Sequence, residues 1–305
     1  MKILRSFGKP EYIFRPLQVL RRLGREFRQA PEAASVALPW GLAIQVRPHE
    51  TIGSCVWRTG IYDLCTSECL WRLLDPGETA LDVGANIGHM TGLMAHRLGP
   101  RGKVIAFEPH PELFAELQGN VFRWRKFSGL GAIELMQAAV SSESGAGMLH
   151  MPKGFRNNRG LASLNQPVED GFHDVSVELV RLDDVLVDAV IGVMKIDVEG
   201  HELSVLEGAE RLLRERKIRD IIFEEHNELP TPVTDRLEGC GYTVFSLDNT
   251  VIRPLAVPVG KGRKNARRDA PNYLATAAPE RAQQRLAKTG WRVLRNRRVL
   301  QAAIA

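Results

Sequence analysis

The sequence predicts an α/β fold in which a doubly wound, mostly parallel sheet is covered by helices on both faces. Three observations predict it. From Thr79 onward, short apolar runs alternate with segments of helical periodicity, as in successive βαβ units. A glycine-rich turn, LDVGANIG at Leu81 to Gly88, joins the first of these runs to a helix. Four strand-like runs end in acidic residues, and ligands bind at the carboxyl ends of parallel strands.

The N-terminal segment, residues 1–50, precedes the main domain. Residues 1–30 hold eight Lys and Arg against two Asp and Glu, with leucines at helical spacing, so they predict a basic amphipathic helix. Its apolar stripe either docks on the domain or lies on an anionic membrane or a partner protein. Residues 38–47 predict a short strand.

The main domain is predicted over residues 51–277. A helix in the second half of 57–74 ends at the turn Asp75-Pro76-Gly77-Glu78. Residues 144–175 are rich in Gly, Asn and Ser and predict a substrate-facing insertion with a hairpin near Met148–Met151. The predicted core strands are Ala80–Val83, Lys103–Glu108, Ile133–Val140, Ile191–Ile196, Asp220–Phe223, Tyr242–Leu247 and Tyr273–Thr276.

The C-terminal segment, residues 278–305, predicts a second basic amphipathic helix, weakened by Gly290. It too either docks on the body or binds a surface. The formal charge of +5 conceals an asymmetry: residues 1–30 carry +6 and residues 261–305 carry +10, which leaves −11 for the body. An acidic body repels phosphates, which argues against a nucleic-acid partner.

Four cysteines and the absence of an export pattern bear on the compartment. Cys55, Cys65 and Cys69 lie near His49 in sequence, but the C-x3-C spacing is unusual for zinc, so reduced thiols of a cytoplasmic protein are favoured. The sequence shows no signal peptide and no run of about 20 apolar residues. We therefore predict a cytoplasmic protein, with peripheral attachment to a membrane as the alternative.

The glycine-rich turn predicts a site for a small ligand. Backbone N–H groups and a helix N-terminus there favour a carboxylate or phosphate. The turn lacks the G-x-G-x-x-G pattern of dinucleotide-binding loops, which argues against a dehydrogenase. Glu108, twenty residues after Gly88, is placed to accept hydrogen bonds from both hydroxyls of a ribose.

Four blocks together resemble the FkbM family of S-adenosylmethionine (SAM)-dependent methyltransferases: Leu81 to Gly88, Ala106 to Asn120, Ala138 to Ser142 and Lys195 to Ala209. The resemblance implies the Rossmann-like class I methyltransferase fold, with strand order 3-2-1-4-5-7-6 and strand 7 antiparallel. It also implies SAM as methyl donor and a hydroxyl of a sugar, glycan, polyketide or lipid-linked metabolite as acceptor.

Carried over by position, the residues that resemble the family's SAM contacts are Asp82, Gly84, Ala85, Asn86, Gly88, Glu108 and, near the adenine, Ala139. On the acceptor side, a hydroxyl must lose a proton, which a His or carboxylate can accept. The candidates at the ends of the fourth and fifth strands are Asp197, Glu199, Glu225 and His226. Lys195 is a further candidate, with an ion pair to a nearby acid as its structural alternative.

Three alternatives stay open at this point. Asp197, Glu225 and Asn227 could hold a divalent metal through oxygen ligands, which is not favoured. A nucleic-acid methyltransferase is disfavoured because Asp197-Val198-Glu199-Gly200 stands where an Asn/Asp-Pro-Pro-aromatic motif is expected. A non-catalytic module that binds SAM, a membrane or a partner is the rival from another class.

Overall fold

The computed structural model describes residues 10–14, 29–152, 155, 158–164, 173–259 and 272–295. Of the predicted N-terminal helix it describes one short helix, Pro10–Ile13, and the remainder lies outside the described residues. Residues 260–271, which include most of the basic residues of the connection between the last two predicted strands, and residues 296–305 of the predicted C-terminal helix lie outside them as well.

The strands in chain order are β1 (Ala34–Ala37), β2 (Ala43–Val46), β3 (Thr79–Val83), β4 (Lys103–Phe107), β5 (Ala132–Met136), β6 (Ala138–Val140), β7 (Gly145–Met151), β8 (His173–Val180), β9 (Ile191–Ile196), β10 (Ile218–Glu224), β11 (Thr243–Asn249), β12 (Pro254–Pro258) and β13 (Asn272–Thr276). The helices are α1 (Pro10–Ile13), α2 (Thr51–Thr59), α3 (Leu64–Leu73), α4 (His89–Leu98), α5 (Pro111–Trp124), α6 (Leu182–Val185), α7 (Glu202–Glu207), α8 (Glu210–Arg214), α9 (Pro232–Gly239), α10 (Pro279–Leu286) and α11 (Arg292–Arg295).

The main sheet confirms the predicted topology. Its order is β12-β11-β13-β10-β9-β3-β4-β5, which contains the order 3-2-1-4-5-7-6 when the seven core strands are numbered along the chain. β3, β4, β5, β9 and β10 are parallel, and β13 is antiparallel to both of its neighbours. The eighth strand, β12, was not predicted. It begins at Pro254 and ends at Pro258, and these two prolines indicated a loop. An edge strand, however, tolerates proline at its ends.

The predicted third strand over 133–140 is confirmed as β5, but its C-terminal bound is wrong, because the chain leaves the main sheet after Met136. Ala138–Val140 instead pair in parallel with β8, in a second sheet of order β6-β8-β7. β7 pairs with β8 along its full length, so the hairpin-like pattern at Met148–Met151 belongs to a longer strand with a distant partner. Of this second sheet, β7 and the start of β8 lie within the predicted insertion, residues 144–175, whereas β6 precedes it.

Both faces of the main sheet are covered, as the doubly wound prediction requires. Ala80 packs with α2 to α5, the β1–β2 hairpin, α10 and α11, whereas Leu81 and Val83 pack with α7 to α9. The two-residue period of β3 therefore sends alternate side chains into two separate apolar layers.

The described part of the C-terminal segment docks on α3. Leu286, Val293 and Leu294 are buried in the layer that contains α3. The segment forms two short helices rather than one, because Gly290 lies in the left-handed region between them at φ +92°.

A buried ion pair on α3 holds this segment. Arg72 Nε lies 2.6 Å from Glu68 Oε1, and both side chains are almost fully buried. The Arg72 guanidinium donates to four carbonyl oxygens at and beyond the end of α10, those of Arg285, Leu286, Lys288 and Gly290. The Glu68 carboxylate accepts the N–H groups of Arg292 and Val293, at 2.9 and 2.8 Å. The pair thus satisfies backbone groups that two helix ends leave free.

None of the helices in the described part of the chain is long and apolar enough to span a bilayer. The four cysteines are free thiols: Cys65 and Cys69 are buried, Cys240 is half-buried and Cys55 is exposed. His49, the other residue of the zinc alternative, directs Nε2 to the carbonyl oxygen of Ala30 at 3.0 Å.

We expect Arg72→Met to destabilise the protein by about 3–5 kcal/mol, because it leaves the Glu68 carboxylate buried without its cation. The free energy of unfolding in urea, at equal protein concentration, measures the effect. Arg214→Met is the control, since Arg214 is paired with Glu210 at the surface, and it is expected to leave stability unchanged. Equal stability of the two variants would contradict the assignment.

Candidate functional site

The glycine-rich turn between β3 and α4 makes a close backbone approach to β9. Gly84 has φ +79°, and a Cβ placed on it would lie 1.9 Å from the carbonyl oxygen of Asp197. Gly88 has φ +92°, and a Cβ there would lie 2.6 Å from Leu117 Cδ1. Both positions therefore require glycine. The turn and the end of β9 therefore lie in direct backbone contact and form one side of the site.

A buried lysine, Lys195, joins the turn to β3 and to the end of β9. Lys195 Nζ donates to the carbonyl oxygen of Gly84 at 2.8 Å and lies 3.2 Å from Asp197 Oδ2 and 3.5 Å from Asp82 Oδ1. Burial opposes its charge, but the two carboxylates outweigh burial and raise the pKa of Lys195. Lys195 therefore stays a cation, in the ion pair that was its structural alternative.

Asp82 lies outside the cavity and contacts Thr91 and Lys195. Its side chain is fully buried, and Oδ2 accepts a hydrogen bond from Thr91 Oγ1 at 2.6 Å. Burial raises the pKa of Asp82, whereas the charge of Lys195 lowers it. Asp82 and Gly88 do not line the cavity, whereas Gly84, Ala85 and Asn86 do.

Glu108 joins the turn to the end of β4. Its side chain is buried, and its two carboxylate oxygens accept the N–H groups of Asn86 at 2.8 Å and of His110 at 2.9 Å. Burial raises the pKa of Glu108 to about 7, and the two N–H groups oppose that rise. Each carboxylate oxygen keeps a second lone pair, so Glu108 can accept a ligand hydroxyl while it holds the turn.

One cavity of about 700 Å³ unites these residues. That volume lies within the range of small-molecule sites, about 300–1,000 Å³. The wall next to β4 and β6 is mainly apolar. The wall next to β9, β10 and β13 is mainly polar. The apolar wall consists of Phe107, Leu113, Ala138, Ala139, Leu149, Ala162 and Leu164. The polar wall includes Tyr62, Asp63, Lys195, Asp197, Glu199, Glu224, Asn249 and Asn272.

The polar wall concentrates carboxyl groups. Burial, followed by the charges of Asp197 and Glu199, raises the pKa of Glu224 to about 8, and a hydrogen bond to Asp197 adds to the rise. Burial, Asp197 and Glu202 raise the pKa of Glu199 to about 7. The residue itself lies in the left-handed region at φ +51°. Because these pKa values lie close to neutral pH, each of these carboxyls can gain or lose a proton there.

The structure does not bring Glu225 and His226 to the cavity. Side chains alternate along β10, so Ile222 and Glu224 face the cavity while Glu225 turns away. Glu225 Oε1 accepts the backbone and side-chain N–H groups of Asn227, each at 2.9 Å. His226 is 57% exposed, with Nε2 3.3 Å from Glu224 Oε1. Glu224 therefore lines the cavity at the position that the sequence predicted for Glu225 and His226.

Several cavity residues were missing from the sequence prediction, among them Asp63, Arg159 and Glu224. Alternation along β10 could have identified Glu224. Asp63 caps α3 by accepting the Thr66 N–H at 3.1 Å, and its other oxygen accepts from Asn272 Nδ2 at 3.1 Å. A cap pattern predicts the start of a helix but not a cavity wall. Arg159 lies in the insertion, and its sequence neighbours carry no motif.

No group of three or more His, Cys, Asp or Glu side chains in the described ranges is arranged to hold a metal ion. Of the three residues suggested above as metal ligands, only Asp197 lines the cavity. Glu225 and Asn227 are hydrogen-bonded to each other outside it.

Comparison with known proteins gives a family match over most of the residues that line the cavity. The family described as the methyltransferase FkbM domain matches residues 82–244. The 31-O-demethyl-FK506 methyltransferase FkbM of Streptomyces tacrolimicus is 33% identical over 217 residues, which cover 60% of this chain and 81% of that protein. The hexuronic acid methyltransferase AglP of Haloferax volcanii is 29% identical over 56% of this chain and 66% of that protein.

Among solved structures, methyltransferase FkbM from Methylobacillus flagellatus KT aligns with 75% of this chain, at 16% identity and a TM-score of 0.44. The alignment covers 48% of that protein, so this chain spans about half of its length.

We expect Glu224→Gln to stabilise the protein at about pH 9 more than at about pH 5. Because burial raises the folded pKa of Glu224 above its ordinary value, its contribution to stability is present at low pH and is lost as the pH rises through about 8. Urea unfolding of wild type and variant at both pH values measures the difference. Glu228→Gln, at an exposed position, is the matched control. A stability difference that is the same at both pH values would refute the buried position of Glu224.

Proposed function

This chain belongs to the FkbM methyltransferase family, and we propose on that basis that it transfers the methyl group of SAM to a hydroxyl of a small metabolite. The acceptor classes are a sugar, a glycan, a polyketide or a lipid-linked metabolite. The reaction class follows the family, whereas the hydroxyl acceptor rests on the chemistry of the cavity and on two relatives.

One observation carries the choice of cofactor: a buried carboxyl, Glu108, hydrogen-bonds the N–H of Asn86 in the glycine-rich turn and lines the cavity. A carboxylate at this place suits the two hydroxyls of a ribose. The apolar wall at Ala138 and Ala139 suits an adenine ring. The donor set therefore fits SAM, and Gly84, Ala85 and Asn86 would hold its amino-acid portion.

SAM, when bound, supplies a methyl group on a sulfonium, which a nucleophile attacks in line. The protein's contribution is to position the acceptor oxygen and to receive its proton. Glu224 is our candidate base, since it faces the cavity and its pKa of about 8 is close to the operating pH. Asp197 and Glu199 orient the acceptor through its other hydroxyls. Lys195 keeps Asp197 in place and holds no free lone pair for catalysis.

The names of two relatives support oxygen as the acceptor atom. One relative acts on an O-demethyl compound and another on a hexuronic acid. The carboxyl-lined wall supports the same class, because carboxylates accept hydrogen bonds from hydroxyl groups. It disfavours a nucleic-acid acceptor, whose phosphates it would repel.

We expect Glu108→Ala to weaken binding of the demethylated cofactor, S-adenosylhomocysteine (SAH), by about tenfold or more, because hydrogen bonds to a charged group are lost. Titration calorimetry measures the dissociation constant, and thermal unfolding confirms that the variant is folded. Glu134→Ala on the neighbouring strand β5 is the control, since Glu134 is exposed and pairs with Lys103. Failure of folded wild-type protein to bind either SAM or SAH would favour the alternative of a non-catalytic module that binds a membrane or a partner protein.

We expect Glu224→Gln to lower kcat by about 10²–10⁴-fold with little change in the KM for SAM, because the base is removed while the cofactor seat is kept. The measurement is transfer of labelled methyl from SAM to a panel of polyols, uronates and hydroxylated polyketides. Glu228→Gln, at an exposed position outside the cavity, is expected to keep most of the rate. Full activity of Glu224→Gln would exclude Glu224 as the base, and full activity with a chelator would exclude a metal requirement.

A further inference from the structure

Residues 158–164 form a short strap along the cavity, within the insertion that carries no sequence motif. The strap contains one turn of 3₁₀ helix, Arg159–Leu161. Asn158, Gly160, Ala162 and Leu164 line the cavity together with Arg159 itself. Ala162 and Leu164 pack with the apolar residues of the second sheet. The strap therefore closes the apolar end of the cavity.

Arg159 anchors the strap to two helices of the body. Its Nη1 and Nη2 donate to the two carboxylate oxygens of Glu116 on α5, at 2.9 and 2.8 Å. Its Nε lies 2.6 Å from Oε1 of Glu50, the residue before α2. The side chain is only 4% exposed, although it belongs to a short surface segment. Bidentate pairing of this kind fixes direction as well as distance.

The other end of the strap reaches the acceptor side. Ser163 Oγ donates to the carbonyl oxygen of Glu199 at 2.8 Å. The backbones of Ser163 and His150 exchange two hydrogen bonds, at 2.9 and 3.1 Å. A Cβ placed on Gly160 would lie 3.8 Å from Glu199 Oε1, so the strap passes directly beside that carboxyl.

Apart from Arg159, the strap is held by its 3₁₀ turn, by apolar contacts and by the three hydrogen bonds of Ser163 with His150 and Glu199. One 3₁₀ turn provides little backbone hydrogen bonding, and the apolar contacts involve two small or medium side chains. The ionic contacts of Arg159 are buried, so their loss would leave Glu50 and Glu116 with reduced compensation. Arg47, the remaining cation, lies 2.7 Å from Glu116 and is half-exposed.

We propose that Arg159 is a positioning residue that latches the strap over the bound cofactor and so sets how slowly the cofactor leaves. The proposal rests on the proposed function, because the ligand beneath the strap is taken to be SAM or SAH. Release requires the strap to separate from the body, and that separation breaks the contacts of Arg159 with Glu50 and Glu116. Weakening the latch raises the open fraction and the dissociation rate together.

The test is the dissociation rate of SAH from the full-length protein, measured by surface plasmon resonance for wild type, Arg159→Met and Arg159→Lys. We expect Arg159→Met to accelerate dissociation about tenfold or more with no decrease in the association rate. Arg159→Lys keeps the charge but loses the bidentate geometry, so an intermediate rate is expected. Arg214→Met, which removes an exposed arginine from a surface pair, is the control and should match wild type.

A structural role alone would give a different pattern. Misfolding lowers the fraction of protein that binds SAH, whereas an open latch changes the rate constant of the molecules that bind. Glu116→Gln should accelerate dissociation as well, and combining it with Arg159→Met should add little. Unchanged dissociation from folded Arg159→Met would overturn the latch. Absence of SAH binding to wild type would instead overturn the proposed function.

Discussion

The ion pair network of Lys195 is the interaction on which the site depends. Taking an ammonium out of water is costly, and only close carboxylates offset that cost. Asp82 comes from β3 and Asp197 from the end of β9, and the third contact is the carbonyl of Gly84 in the turn. One cation thus joins the two central strands to the ligand-binding turn. Its position explains why the turn lies within backbone contact of β9 and why Asp197 faces the cavity in a fixed direction.

The fold was predictable because its signals are local and repeated. Alternating apolar runs and helical segments specify βαβ units, and the strand order followed from the family resemblance. The errors lie where pairing depends on distant residues. Nothing near Gln137 indicates that the chain changes sheets there, because the partner of β6 is β8, some forty residues later. β12 resembled a loop, since its flanking prolines are acceptable only at an edge, and edges are defined by the assembled sheet.

The sequence predicted which strand ends form the candidate site, but it did not identify every side chain that lines it. The turn at Gly84–Asn86 and the acid at Glu108 have fixed chemical roles at fixed spacing, so sequence reasoning placed them on the cavity. Glu224 and Glu225 differ by one position, and the strand's alternation decides between them. Asp63 and Arg159 could not be predicted, because their roles come from contacts with Asn272, Glu50 and Glu116, far away along the chain. Such contacts exist only after the chain has folded.

The Glu68–Arg72 pair on α3 carries a consequence for biosynthesis. These two side chains are complete early in translation, but the backbone groups that satisfy them belong to residues 285–293, more than two hundred positions later. Until those residues leave the ribosome, the nascent domain carries an uncovered arginine and glutamate within an otherwise apolar surface. The Glu68–Arg72 pair therefore gains its backbone partners only late in synthesis, and until then the incomplete domain is exposed to aggregation and to chaperones.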